Sequence, residues 1–101
     1  MGSFVKIAEM SDVGPGTGKV VVVDGNEIAL FNIQGQYYAI HNTCPHRGGP
    51  LGEGYIDGNV VTCPWHGWEF DVTTGESPIN SMIRVRSLPV RVEGNEVKVE
   101  L

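Results

Sequence analysis

The stretch "KVVVVDGNEIALFNIQGQYYAI", residues 19–40, holds three apolar runs separated by Asp24-Gly25-Asn26 and Gln34-Gly35. Runs rich in Val, Ile, Phe and Tyr, bounded by glycine-containing dipeptides that accept positive φ, read as β-hairpins rather than as a helix. The spacing predicts three strands over 19–23, 27–33 and 36–41, a meander. Outward from it, "VRSLPVRVEGNEVKVEL" at 85–101 places Val90, Val92, Val97 and Val99 in alternation on either side of Gly94-Asn95, a second hairpin. "FVKIA" at 4–8, "NVVTC" at 59–63 and "MIRVRSL" at 82–88 add further short strands. Sustained helical periodicity is absent, so the expected fold class is all-β, a small antiparallel sandwich or barrel.

A chain of 101 residues with 41% hydrophobic and 19% charged residues is the size and composition of one globular domain, residues 1–101. Its longest apolar run, Val20 to Val23, is far short of the roughly 20 residues that a membrane-spanning helix needs. The N-terminus lacks the apolar core and cleavage site of a secretory signal, which makes the cytoplasm the expected compartment. Twelve acidic against seven basic residues give a net charge of −5, with no lysine or arginine run to track phosphates; nucleic acid is not an expected partner. An acidic surface suits docking to a basic patch and equally keeps a protein soluble.

From Asn42 to Asn59 little reads as regular structure, and so long a loop in a compact domain is functional or is held by something besides its own hydrogen bonds. It contains "CPHRG" at 44–48, and "CPWHGWEFD" follows at 63–71. These boxes hold both cysteines of the chain and two of its three histidines, as C-x-H and C-x2-H separated by the 16 residues 47–62. Thiolate and imidazole are ligands for soft and borderline transition metals. Pro45, Pro64, Gly48 and Gly67 set or free the backbone of the turns that would aim them. From the residues alone, a structural zinc site in an interaction module and a Cys44–Cys63 disulfide remain alternatives; the disulfide leaves both histidines unexplained.

The two boxes closely resemble the signature of the Rieske [2Fe–2S] family. The resemblance implies a small antiparallel β-domain with one cluster held at its tip between two loops, the cluster region being about 42–81. By position, Cys44 and Cys63 would ligate the inner iron and His46 and His66 the outer one. A third loop, "TGESPINS" at 74–81 with Pro78, would cover the cluster. Two imidazoles in place of two thiolates raise the potential, to roughly −150 to +300 mV against about −400 mV for four-cysteine clusters. High-potential respiratory relatives add a cysteine in each box and a serine after the second; here those positions hold Gly49, Trp65 and Trp68. Without the serine hydroxyl the low end of that range is expected.

The resemblance further implies a monomeric one-electron carrier rather than an enzyme. It would pass electrons from a flavin-dependent NAD(P)H reductase to a terminal ring-hydroxylating oxygenase through a transient interface. The small subunit of NADH-dependent nitrite reductase is a similar short chain and the alternative. Among the flanking residues, His41 reads as a structural histidine, Trp65 as a shield over the cluster, and Trp68 as shield or core aromatic. Arg47 reads as partner contact or solvated charge. Tyr37, Tyr38 and Phe70 are expected in the core, and Glu53, Asp57, Glu69 and Asp71 as solvated carboxylates.

Overall fold

The computed structural model describes residues 3–45, 48–65 and 67–101, and these are built almost wholly of strands and turns. In chain order the strands are β1 (Phe4–Glu9), β2 (Thr17–Val23), β3 (Asn26–Ile33), β4 (Gln36–His41), β5 (Tyr55–Asp57) and β6 (Val60–Thr62). They continue as β7 (Glu69–Asp71), β8 (Glu76–Ser77), β9 (Asn80–Arg84), β10 (Ser87–Leu88), β11 (Val90–Glu93) and β12 (Glu96–Glu100). Every pairing is antiparallel.

The meander forms where the spacing predicts it. Val23 pairs with Asn26 and Ile33 with Gln36. Asp24 and Gly25, and likewise Gln34 and Gly35, all take positive φ, between 51° and 88°. Two successive left-handed residues are what a two-residue turn needs to match strand twist. β10 joins the other edge, giving the order β10-β4-β3-β2, while β1, β12 and β11 form a second sheet.

β3 explains how two cores share one sheet. Its residues Ile28 to Asn32 are all buried, and strand periodicity sends alternate side chains to opposite faces. Ile28 and Leu30 pack with Val97, Val99 and Ala8 against the terminal sheet. Ala29 and Phe31 pack on the other side with Leu51, Val61, Phe70, Val72 and both cysteines. Phe31 is therefore part of the floor beneath the cysteine loops. Phe31→Ala is expected to destabilise the cluster-free chain by about 3–5 kcal/mol, since it removes buried area and leaves a cavity. Urea unfolding followed by circular dichroism would measure this.

The span 82–88, expected as one strand, is two. β9 ends at Arg84 and β10 begins at Ser87, with Val85 buried between them. The Val85 N–H donates to the Gly75 carbonyl (2.8 Å), while the Arg86 carbonyl accepts from the His41 N–H (2.8 Å). The chain thus leaves the β8–β9 hairpin and joins β4 within two residues. The span 42–59 is also less irregular than expected: a 3-10 turn at Leu51–Glu53 and β5 lie inside it, and β5, β6 and β7 form a small sheet of their own.

Candidate metal centre

β4 delivers the chain into the first loop and β6 into the second. Cys44 and Cys63 are 1% and 2% exposed and lie in the same core cluster as Phe31, Leu51 and Phe70. Both are free thiols, so the disulfide alternative is not the arrangement observed. The two loops, each opening C-P-x-x-G, close in the same way. The Cys44 N–H donates to the Gly49 carbonyl (3.0 Å) and the Cys63 N–H to the Trp68 carbonyl (2.7 Å), five residues ahead in each case. Four residues after each cysteine stands a left-handed glycine, Gly48 at φ 78° and Gly67 at φ 80°. The punctuation seen in the sequence is therefore a repeated backbone device that turns a buried cysteine and a short loop about the same kind of bend.

The two sulfurs are neighbours. Burial pushes the Cys63 thiol above its ordinary value, the Trp65 N–H opposes this, and the adjacent Cys44 thiol, within hydrogen-bonding reach, raises it further. The Trp65 N–H lies 3.4 Å from Cys63 Sγ, a hydrogen bond of ordinary length for sulfur. Gly49 presses against the same atom from the opposite loop: a Cβ there would lie 2.7 Å from Cys63 Sγ and 3.0 Å from Trp65 Cβ and Cγ.

Two buried free thiols from two loops, with a backbone donor on one sulfur and no room for a further side chain beside it, are a donor set for a thiophilic metal. They fit the sulfur half of the two-loop clamp expected from the sequence. His46, His66 and Arg47 lie outside the described residues. Among the described residues no three His, Cys, Asp or Glu side chains come together elsewhere.

The flanking residues sort by burial. Trp65 is 50% exposed and rests its base on Gly49, so it forms a rim, whereas Trp68 is partly buried against the core that contains the cysteines. Tyr37 is buried and its hydroxyl donates to the Met10 carbonyl (2.9 Å); Phe70 is fully buried and Tyr38 packs partly against the same core. His41 ends β4 as an exposed residue opposite Ile28. Glu53, Asp57 and Glu69 are exposed, but Asp71 does more than face water: its Oδ1 accepts from the Thr73 N–H (2.8 Å) and hydroxyl (2.5 Å), shaping the turn into β8. The steric requirement at Gly49 and the buried amide of Asn42 have only faint marks in the sequence, a Gly-Gly pair and an asparagine two residues before a cysteine.

A family model described as the Rieske [2Fe-2S] domain matches residues 3–89. The ferredoxin component of the naphthalene 1,2-dioxygenase system of Pseudomonas putida is 32% identical over 97% of this chain and 95% of its own length. Among solved structures, the ferredoxin in a complex of reduced oxygenase and oxidised ferredoxin of carbazole 1,9a-dioxygenase superposes with a TM-score of 0.87 at 34% identity, covering 96% of this chain and 92% of that one. A candidate NADH-dependent nitrite reductase small subunit from Mycobacterium tuberculosis gives a TM-score of 0.91 at 23% identity, covering 100% and 96%; that likeness is one of fold.

Proposed function

This chain belongs to the Rieske [2Fe–2S] domain family, and from that membership we propose that it is the ferredoxin of a multicomponent ring-hydroxylating dioxygenase system. It receives single electrons from a flavin-dependent NAD(P)H reductase and delivers them to a terminal oxygenase, and is itself no enzyme. The observation that carries this reading is the nearly end-to-end similarity to a dioxygenase ferredoxin, with 97% and 95% of the two chains aligned. Residues 1–101 act as one domain.

When bound, the [2Fe–2S] cluster supplies a reversible one-electron couple. Cys44 and Cys63 would hold one iron, and His46 and His66 the other. The protein's own part is to position and to insulate. The Phe31, Leu51 and Phe70 floor keeps water from the two sulfurs, and the Trp65 N–H steadies negative charge on Cys63 Sγ. Position 68 holds tryptophan where a serine hydroxyl would donate to a cluster sulfur, so the expected potential is near the low end of the Rieske range, roughly −150 mV.

Three measurements test this reading. The purified protein should be red-brown, contain two irons and two acid-labile sulfides per chain, and give a reduced-state EPR signal of low average g; colourless protein with one zinc would overturn the reading. His66→Cys should move any surviving cluster by on the order of 100 mV towards the four-cysteine range. An unchanged potential and spectrum would remove His66 from the ligand set. Reconstitution with purified dioxygenase reductases and oxygenases, scored by electron transfer in each direction, tests the assignment of partners.

A further inference from the structure

The two loops are anchored differently. The second springs from a strand ladder: Thr62 at the end of β6 pairs with Glu69 at the start of β7, so regular pairing closes its two ends. Among the described residues the first has no such ladder. Its ends meet at the isolated bridge between Thr43 and Pro50, closed by the Leu51 N–H on the Asn42 carbonyl and the Cys44 N–H on the Gly49 carbonyl, after which the chain enters a single 3-10 turn.

Asn42 stands in for the missing ladder. It is 2% exposed, two residues before Cys44, and every polar group it owns is engaged. Its carbonyl accepts from the Leu51 N–H (2.8 Å) and its Oδ1 from the Gly52 N–H (2.8 Å), tying together the two ends of the loop. Its N–H donates to the Glu27 carbonyl (3.0 Å) and its Nδ2 to Glu27 Oε1 (3.2 Å), fixing that closed loop to the start of β3. A buried amide used at both ends has one orientation only, because flipping it would set donor against donor at Gly52 and acceptor against acceptor at Glu27.

We propose that Asn42, oriented by Glu27, is a positioning residue for the cluster: it holds the Cys44 loop in the geometry that retains the iron, through a latch reaching out to the protein surface. The proposal rests on cluster binding by the Rieske fold and not on which partners the carrier serves. Residues one step removed from metal ligands commonly change metal affinity by about 10–100-fold.

The latch has a chemical inverse that tests it. Asn42→Asp keeps the acceptor for Gly52 but sets a carboxylate against Glu27. Glu27→Gln in the same chain restores one donor and one acceptor with their direction reversed. In the holoprotein at neutral pH and with excess chelator, N42D should lose its cluster about tenfold faster than the parent, with displaced EPR lines. E27Q should stay within about twofold and N42D/E27Q should return to within about threefold with the parental EPR lines restored, although the buried carboxylate lowers the thermal midpoint of the cluster-free chains that carry it. Should N42D fail to fold, Glu27→Lys, at an exposed position, leaves Asn42 in place without its acceptor and should speed loss about threefold. Cluster loss at the parental rate in N42D or, failing that, E27K, or no recovery in the double variant, overturns the proposal. Colourless parental protein would instead overturn the functional reading itself.

Discussion

Cys63→Ala is expected to lower iron and labile sulfide from two per chain to less than about a tenth of that, with the visible colour lost, while the far-ultraviolet circular dichroism stays that of the parent. The reasoning separates the site from the fold. Alanine offers no electron pair, and among the described residues no other His, Cys, Asp or Glu groups with the cysteines to take its place. The fold loses little, because only one sulfur leaves a core that keeps Phe31, Phe70, Leu51 and Val61 fully buried; about 1 kcal/mol is the ordinary scale for such a change. Phe31→Ala is the mirror experiment, costing several times as much stability while leaving every proposed ligand in place. Iron assay, absorbance and circular dichroism on the two variants should therefore move in opposite patterns. Full iron in Cys63→Ala would show that the loop cysteine is not a ligand.

That opposition also shows where the sequence was legible. β2, β3 and β4 were readable because Asp24-Gly25 and Gln34-Gly35 are local signals: both residues of each turn must take positive φ, and few other dipeptides do so cheaply. The meeting of Cys44 and Cys63 was readable because ligand chemistry restricts residue type at fixed spacing. What stayed hidden depends on partners remote in sequence. The break between Arg84 and Ser87 is set by hydrogen bonds to Gly75 and His41, neither of which leaves a mark on "MIRVRSL". β5 was missed because "YID" is three residues long, with Ile56 alone turned inward, against Val61. Its strand character comes from β6 beside it rather than from its own alternation. Asn42 stood in the sequence only as the start of the irregular span, and its use depends on Glu27 and Gly52 lying within reach in the folded chain.

Gly48 and Gly49 carry the strongest remaining prediction, because the two neighbours are required for different physical reasons. Gly48 sits at φ 78°, and among the described residues only Thr43 Cγ2, at 3.8 Å, is near where a Cβ would go; its requirement is conformational. Gly49 is absent from the positive-φ residues, but a Cβ there would lie 2.7 Å from Cys63 Sγ and 3.0 Å from the base of Trp65; its requirement is space. Asparagine tolerates the left-handed region, so Gly48→Asn should cost less than about 1 kcal/mol and leave the cluster in place. Gly49→Ala has no such accommodation. One methyl must displace either the Trp65 indole or the Cys63 sulfur, and for the proposed ligand sulfur a shift of a few tenths of an ångström decides whether it can bind iron. Overpacking of this kind ordinarily costs about 1–3 kcal/mol, or on the order of 10- to 100-fold in retention if it falls on the bound state. Gly49→Ala is accordingly expected to lose its cluster to a chelator at least tenfold faster than Gly48→Asn, with a changed EPR line shape and a thermal midpoint for the cluster-free chain lowered by several degrees. Gly49→Val should not assemble a cluster at all. Equal retention in Gly48→Asn and Gly49→Ala would mean that the Gly49 backbone is not what packs Cys63 into position.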